Sequence, residues 1–337
     1  MTSSKDTRAP TLGHLVRLHV LSPSELPSHP VLSSSQKHSS TDTSASPHLK
    51  TFITQALTEG ATFIDKTIPQ TFRPTNTKPS PPSEASVASS KRKISKGDIL
   101  NGIKEGKPGF AKTWRDEVWF ARRSVHVQGR EMGRASWIEF VDGLLRNHSL
   151  NEADYTPNVF DAREIGNWED ELRGIEFEGY DEVRMFIYEM SHHIPFPLYN
   201  RTFPTLVISA IDSAKTGTSS FVLVQIPVDL TSVLTALYST GKNRTELRKA
   251  RQKKKVVLGQ YVSVERCKVV DERGHEDDGK VVWDMATASD ARGWLPMALQ
   301  KLGVPGAVVK DVGCFMKWTA GKRARNGPQT TSDGAAS

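Results

Sequence analysis

Residues 283–318, WDMATASDARGWLPMALQKLGVPGAVVKDVGCFMKW, restrict the fold more than any other stretch of the chain. A strand-like run from Trp283 to Met285 passes through an Asp-Ala-Arg-Gly turn to Gly293-Trp294-Leu295-Pro296, and a long apolar pattern follows. Pro296 suits a first helical turn, where its missing N–H removes no intrahelical bond. Leu295, Leu299 and Leu302, then Val308, Val312 and Phe315, recur at helical spacing. Such a helix needs a surface to cover, and the segments before it are suited to supply a sheet. Gly303-Val304-Pro305-Gly306 is expected to kink or divide it.

The strands come from β-branched and aromatic enrichment. Val118–Val127, Val183–Met190, Leu206–Ile211, Ser220–Val228, Gln260–Val270 and Lys280–Thr287 are separated by Gly, Asp or Ser turns. Ala135–Leu145 reads as a helix with Trp137, Phe140, Val141, Leu144 and Leu145 on one stripe, and Leu150–Asp154 as a shorter one. An antiparallel meander capped by a C-terminal helix, an α+β fold, is the natural assembly.

The remainder divides by composition. Residues 1–47 are rich in Ser, Pro and Thr and are expected to be mostly disordered. Residues 48–68 form an amphipathic helix, with Leu49, Phe52, Ile53, Ala56 and Leu57 on one stripe. It would serve as part of the domain, a lid or a partner site. Pro, Ser, Thr and Lys return over 69–109, which reads as a mobile linker. The folded domain is expected over 110–320, which holds all seven tryptophans, and 321–337 is a polar tail.

The net charge of +7 is local. Residues 242–255, KNRTELRKARQKKK, carry eight Lys/Arg and one Glu and account for all of it, so the chain reads as a neutral protein with a basic insertion. Two cysteines, Cys267 and Cys314, form no disulfide framework or zinc site. The N-terminus lacks the apolar stretch of a secretory signal, and the apolar runs are strand-sized. A cytoplasmic monomer is expected, with a peripheral membrane or nuclear location as alternatives.

Several motifs occur in an order that resembles the START lipid-transfer domains and their helix-grip fold. Arg163–Trp168 (REIGNW), Pro195–Phe203 (PFPLYNRTF) and Asp290–Pro296 (DARGWLP) carry that resemblance. Thr202 stands where the START pattern has an Asp after the Arg. TWRDEVWFARRSVH, SFVLVQIPVDL, QYVSVERC and MATASDARGWLPMALQKLGVPGAVVKDVG are similar to the mainly fungal START-like family labelled domain of unknown function 3074. The likeness covers roughly Thr113–Trp318 and implies a curved antiparallel sheet wrapped around the C-terminal helix. It supplies a fold and no established activity.

A helix laid across such a sheet encloses a volume suited to a hydrophobic molecule, whose burial contributes about 25 cal/mol per Å². The leading expectation is non-catalytic binding of a lipid or other hydrophobic ligand, with Leu295, Leu299, Val308, Val312, Phe315 and Arg123 as contacts. Arg122 and Arg123 are adjacent in a strand, so one of the two faces inward. His192 and His193 obey the same alternation and do not ligate one metal from a regular strand. No metal and no cofactor is expected. The basic loop, through Arg248, Lys249, Arg251, Lys253, Lys254 and Lys255, is the candidate dock for an anionic membrane. Nucleic acid is disfavoured because no aromatic interleaves these charges. The alternatives are an interaction module with a filled core and a helix-grip cyclase or hydrolase, although no G-x-S-x-G, H-E-x-x-H or phosphate-binding glycine loop is present.

Overall fold

The structure is a computed structural model that describes residues 13–33, 48–102, 115–213, 219–249, 252–270, 279–292 and 297–326, without the side chains of 100–102, 297–305 and 326. Its helices are α1 (Pro30–Ser33), α2 (Leu49–Thr62), α3 (Ile68–Thr71), α4 (Lys96–Gly102), α5 (Trp137–Phe140), α6 (His148–Tyr155), α7 (Glu169–Leu172) and α8 (Met297–Asn326). The strands are β1 (Arg73–Pro79), β2 (Ser86–Ile94), β3 (Glu117–Val127), β4 (Val159–Asn167), β5 (Tyr180–His192), β6 (Asn200–Asp212), β7 (Ser220–Pro227), β8 (Val256–Leu258), β9 (Gln260–Val270) and β10 (Lys280–Asp290). They form one sheet in the order β1-β2-β3-β10-β9-β7-β6-β5-β4, with β8 pairing in parallel to β6 and every other pair antiparallel. This is the expected α+β grip, an antiparallel sheet closed over a long C-terminal helix.

Strand alternation gives the sheet two buried faces. On one, Phe140, Leu144, Phe221, Cys267, Val281 and Trp283 pack with Val309, Val312, Phe315 and Met316 of α8. On the other, Trp119, Ala121, Ile208, Val222, Val224 and Val264 meet Phe52, Ile53, Ala56 and Leu57 of α2. Helix α2 is thus part of the domain, on the opposite side of the sheet from α8, so it is not a lid over the space beneath α8. It sits so close that a Cβ on Gly60 would lie 2.6 Å from Val224 Cγ2. From Thr62 it continues through a π turn, Phe63–Thr67, into α3.

The segment read as a linker is the main correction. Residues 73–94 form β1 and β2, which extend the sheet beyond β3. Most of their side chains are exposed, and only Val87 and Ile94 of β2 are deeply buried, as befits edge strands. The turn between them reaches α8: Ser80 Oγ donates to Val309 O at 2.6 Å and accepts from Gly313 N at 2.9 Å.

Residues 13–33 are also more ordered than their composition suggests, and the rest of 1–47 lies outside the described residues. Glu59 accepts the backbone N–H groups of His14, Leu15 and Val16. Leu21 then bridges Val228, Leu26 is buried, and Trp168 Nε1 donates to Ser28 O. Helix α8 runs from Met297 to Asn326 through Pro305, so the expected division is not present. The proline removes one backbone donor, and the packed turns that follow outweigh that local cost.

Candidate functional site

The centre of the α8 face is polar. Trp283 stands at the middle of β10, and the Arg122 guanidinium lies over its ring, 3.9 Å from the centroid. Trp283 Nε1 donates to Glu265 Oε2 at 2.8 Å, and Arg122 Nη2 lies 4.0 Å from the same oxygen. Arg122 and Glu265 come from β3 and β9, the two neighbours of β10, with side chains on one face. Arg122 Nε and Nη1 are buried without an acceptor. Beside them on β9 and β7, Ser263 Oγ donates to Gln225 Oε1 at 2.6 Å, and Thr287 Oγ1 donates to Val262 O.

Two further carboxyls face this floor from the helices above. Burial, reinforced by the charges of Glu265 and Asp311, pushes the Glu152 carboxyl of α6 up to about 8. Burial likewise raises Asp311 of α8 to about 7, with Arg122 opposing and Glu265 adding to the shift. Asp311 accepts no hydrogen bond from a described residue. His148, one turn before Glu152, is pushed down by burial and stays neutral near pH 7. Tyr261, on β9 at the same level, is raised by burial and by the nearby Glu152 and Glu265. Glu152 retains 21 % of its side-chain surface and sits 3.5 Å from His148 Nε2. Asp311 and Tyr261 are also only half-buried. These groups are deep enough to lose much of their hydration, yet keep some accessible surface.

The neighbouring half of the grip is filled. Phe315 lies at the hub of an aromatic cluster, with ring centroids 5.2 Å from Phe140, 5.3 Å from Trp283, 5.9 Å from Tyr155 and 6.0 Å from Trp318. Pairs at these separations each add about 0.5–1.5 kcal/mol beyond area burial. A Cβ on Gly143 would come 2.5 Å from Phe315 Cε2, so the turn after α5 is pressed onto the cluster.

The predicted ligand contacts separate accordingly. Phe315 and Val312 are fully buried core, and Val308 is buried on the same face of α8. Leu295 and the side chain of Leu299 lie outside the described residues. Arg123 is a correction: it shares the α2 face with Trp119 and Ala121, half-exposed, and makes a bidentate bond to Asp284 at 2.7 and 2.9 Å. Adjacent strand residues point to opposite faces, and Arg122 is the inward one. His192 also faces inward, edge-on to Phe203, with burial lowering it to about 4, whereas His193 stacks against Phe160. Among the described residues there is no cluster of His, Cys, Asp and Glu suited to a metal.

The basic insertion is tied down rather than free. Asn243 is buried and its Nδ2 donates to Gln252 O and Lys254 O. Arg248, Lys249, Lys253, Lys254 and Lys255 are exposed or nearly so, and Arg251 lies outside the described residues. β8 then pairs Val256 with Asn200, which sets the lysines beside the turn holding Phe196 and Tyr199, 95 % and 58 % exposed. No described helix is long and apolar enough to cross a membrane.

Several known proteins are similar to this chain. An uncharacterized protein of Schizosaccharomyces pombe, C577.11, is 29 % identical over 118 residues, which is 35 % of this chain and 40 % of that protein. The crystal structure of human STARD10 covers 80 % of this chain and 82 % of its own at 11 % identity, with a TM-score of 0.47. Human StAR-related lipid transfer protein 5 covers 81 % and 99 % at 12 % identity, with a TM-score of 0.45. Residues 119–319 match the family described as protein of unknown function DUF3074. That match takes in β3 to α8, the sheet floor and both helices that face it, and the chain belongs to that family.

Proposed function

We propose that the space between the sheet and α6 and α8 holds a hydrophobic molecule that ends in a polar group, and that the protein binds it without changing it. One observation carries this reading: Arg122, Glu265, Glu152 and Asp311 converge inside an apolar grip where a purely structural core has no use for them. Burying such groups is costly unless they find partners. Arg122 keeps two nitrogens without an acceptor, and the raised carboxyls retain protons to donate. A ligand with a hydroxyl, carbonyl or carboxylate satisfies both needs, and its apolar body gains about 25 cal/mol per Å² buried. Displacement of a fluorescent fatty acid or sterol by unlabelled lipids tests the reading. Saturable binding, weakened in R122M/E265Q, is expected; no binding by wild type across phospholipid, sterol, fatty-acid and isoprenoid probes contradicts it.

The same carrier needs access to membranes, and the exposed Phe196 and Tyr199 beside Lys253–Lys255 supply an aromatic and basic surface for an anionic bilayer.

A second reading rests on Glu152 and Asp311 alone. Two carboxyls raised to about 8 and 7 titrate near neutral pH, the condition for giving and taking a proton there. Recovery of every bound lipid unchanged after prolonged incubation favours the carrier over acid–base chemistry.

A further inference from the structure

The fold assembles a second basic site that the charge distribution along the sequence does not reveal. Lys91–Lys93 belong to β2, and the register sets Arg73 opposite Lys91, Lys91 opposite Phe120 and Lys93 opposite Val118. Residues opposite one another share a face, so Arg73, Lys91 and Lys93 stand over the half-buried Val118 and Phe120. Arg92 points the other way, and its Nη1 donates to Thr71 Oγ1 at 2.7 Å. These residues and Thr71 line a half-open groove of about 730 Å³, within the range of small-molecule sites.

The electrostatics favour a compact polyanion. Arg73, Lys91 and Lys93 stand over the groove with Arg92 at its margin, and Lys93 Nζ lies 2.6 Å from Asp116. Burial lowers Arg92, with the Asp98 charge opposing, so an added negative charge beside it restores lost solvation. Val118 and Phe120 provide an apolar floor that limits screening by water. Arg73 and Arg92 offer forked donors for phosphate oxygens, whereas Lys91 and Lys93 act as point charges. A single carboxylate engages one or two such groups. Several phosphates on a small scaffold engage all of them.

We propose that this groove binds a cluster of phosphate groups of the inositol polyphosphate type, free in solution or borne by a phosphoinositide lipid. The groove lies on the same face of the sheet as Arg122, at the β1–β2 edge, and anion binding there does not rest on lipid binding under α8.

Two measurements on the full chain test the proposal: fluorescence anisotropy with labelled inositol hexakisphosphate, and flotation with phosphatidylcholine vesicles that carry either phosphatidylinositol bisphosphate or an equal charge of phosphatidylserine. Wild type is expected to bind the soluble probe or the phosphoinositide vesicles saturably. R73Q/K91Q/K93Q is expected to weaken binding by about tenfold or more, while K253Q/K254Q/K255Q leaves the soluble probe unaffected. R73Q alone, on an exposed side chain, gives a smaller loss in the same direction should the triple variant fold poorly. The proposal is overturned if neither probe binds saturably at low salt, if R73Q and the triple variant both bind as wild type does, or if K253Q/K254Q/K255Q binds phosphatidylserine vesicles as well as phosphoinositide vesicles.

Discussion

The two faces of the sheet bury comparable side chains but treat carboxylates differently. On the α2 face each buried or clamping carboxylate has N–H partners. Glu117 accepts from Leu18 N and Trp119 Nε1, Glu189 from Leu237, Tyr238 and Ser239 N, and Glu59 from the strap at 14–16. On the α8 face, Glu152 and Asp311 are raised by burial, and Asp311 has no hydrogen-bond donor among the described residues. Unpartnered guanidinium nitrogens occur on both faces, at Arg17 and Arg266 as well as Arg122. Asp311 therefore distinguishes the faces. One face is built to hold the chain together, and the other keeps unspent polar capacity inside its core.

The largest expected effect breaks the α2 face. A chain beginning at residue 110 loses α2, β1 and β2, exposing the face under α2 and the edge of β3. It is expected not to fold, as judged by loss of a cooperative thermal transition in circular dichroism. Next is Gly60→Val, which drives a side chain into Val224 and Val264. Overpacking of this kind costs about 1–3 kcal/mol, visible as a lowered midpoint in urea. The matching change on the α8 face has the opposite profile. R122M/E265Q replaces a buried charged pair by groups that need less hydration, so stability stays level or rises, while lipid affinity falls about tenfold or more.

The fold was legible where burial leaves a pattern. β3, β9 and β10 alternate or run apolar, and Val308, Val312 and Phe315 mark the buried side of α8. β1 and β2 were not legible, because edge strands with Pro, Ser and Lys side chains in water have the composition of a linker. The site was half legible. Alternation shows that only one of Arg122 and Arg123 points inward, but choosing it requires knowing which face Trp283 occupies. Asp311 did carry a signal: it lies three residues after Val308 and four before Phe315, on the apolar side of its own helix. Glu152 carried none, since α6 is short and its polar residues surround it.

A smaller effect sharpens the contrast through pH. The folded-state values of Glu152 and Asp311 are raised, so the folded chain holds protons that the unfolded chain releases above about pH 4. Stability from these groups is therefore greatest at low pH and falls as pH rises through 7 and 8. D311N is expected to melt a few degrees above wild type at pH 8 and to lose that advantage near pH 5, in thermal scans. The smallest effect on the fold comes from the surface: K253E/K254E/K255E should reduce sedimentation with phosphatidylserine vesicles and leave the melting temperature within about 1 °C.

The central question is whether the α8 face holds a molecule. Native mass spectrometry of the full chain after exposure to a total lipid extract asks this directly. A bound species of lipid mass at one-to-one stoichiometry, depleted in R122M/E265Q, is expected. A spectrum showing the bare chain alone, in wild type and variant alike, would contradict that expectation.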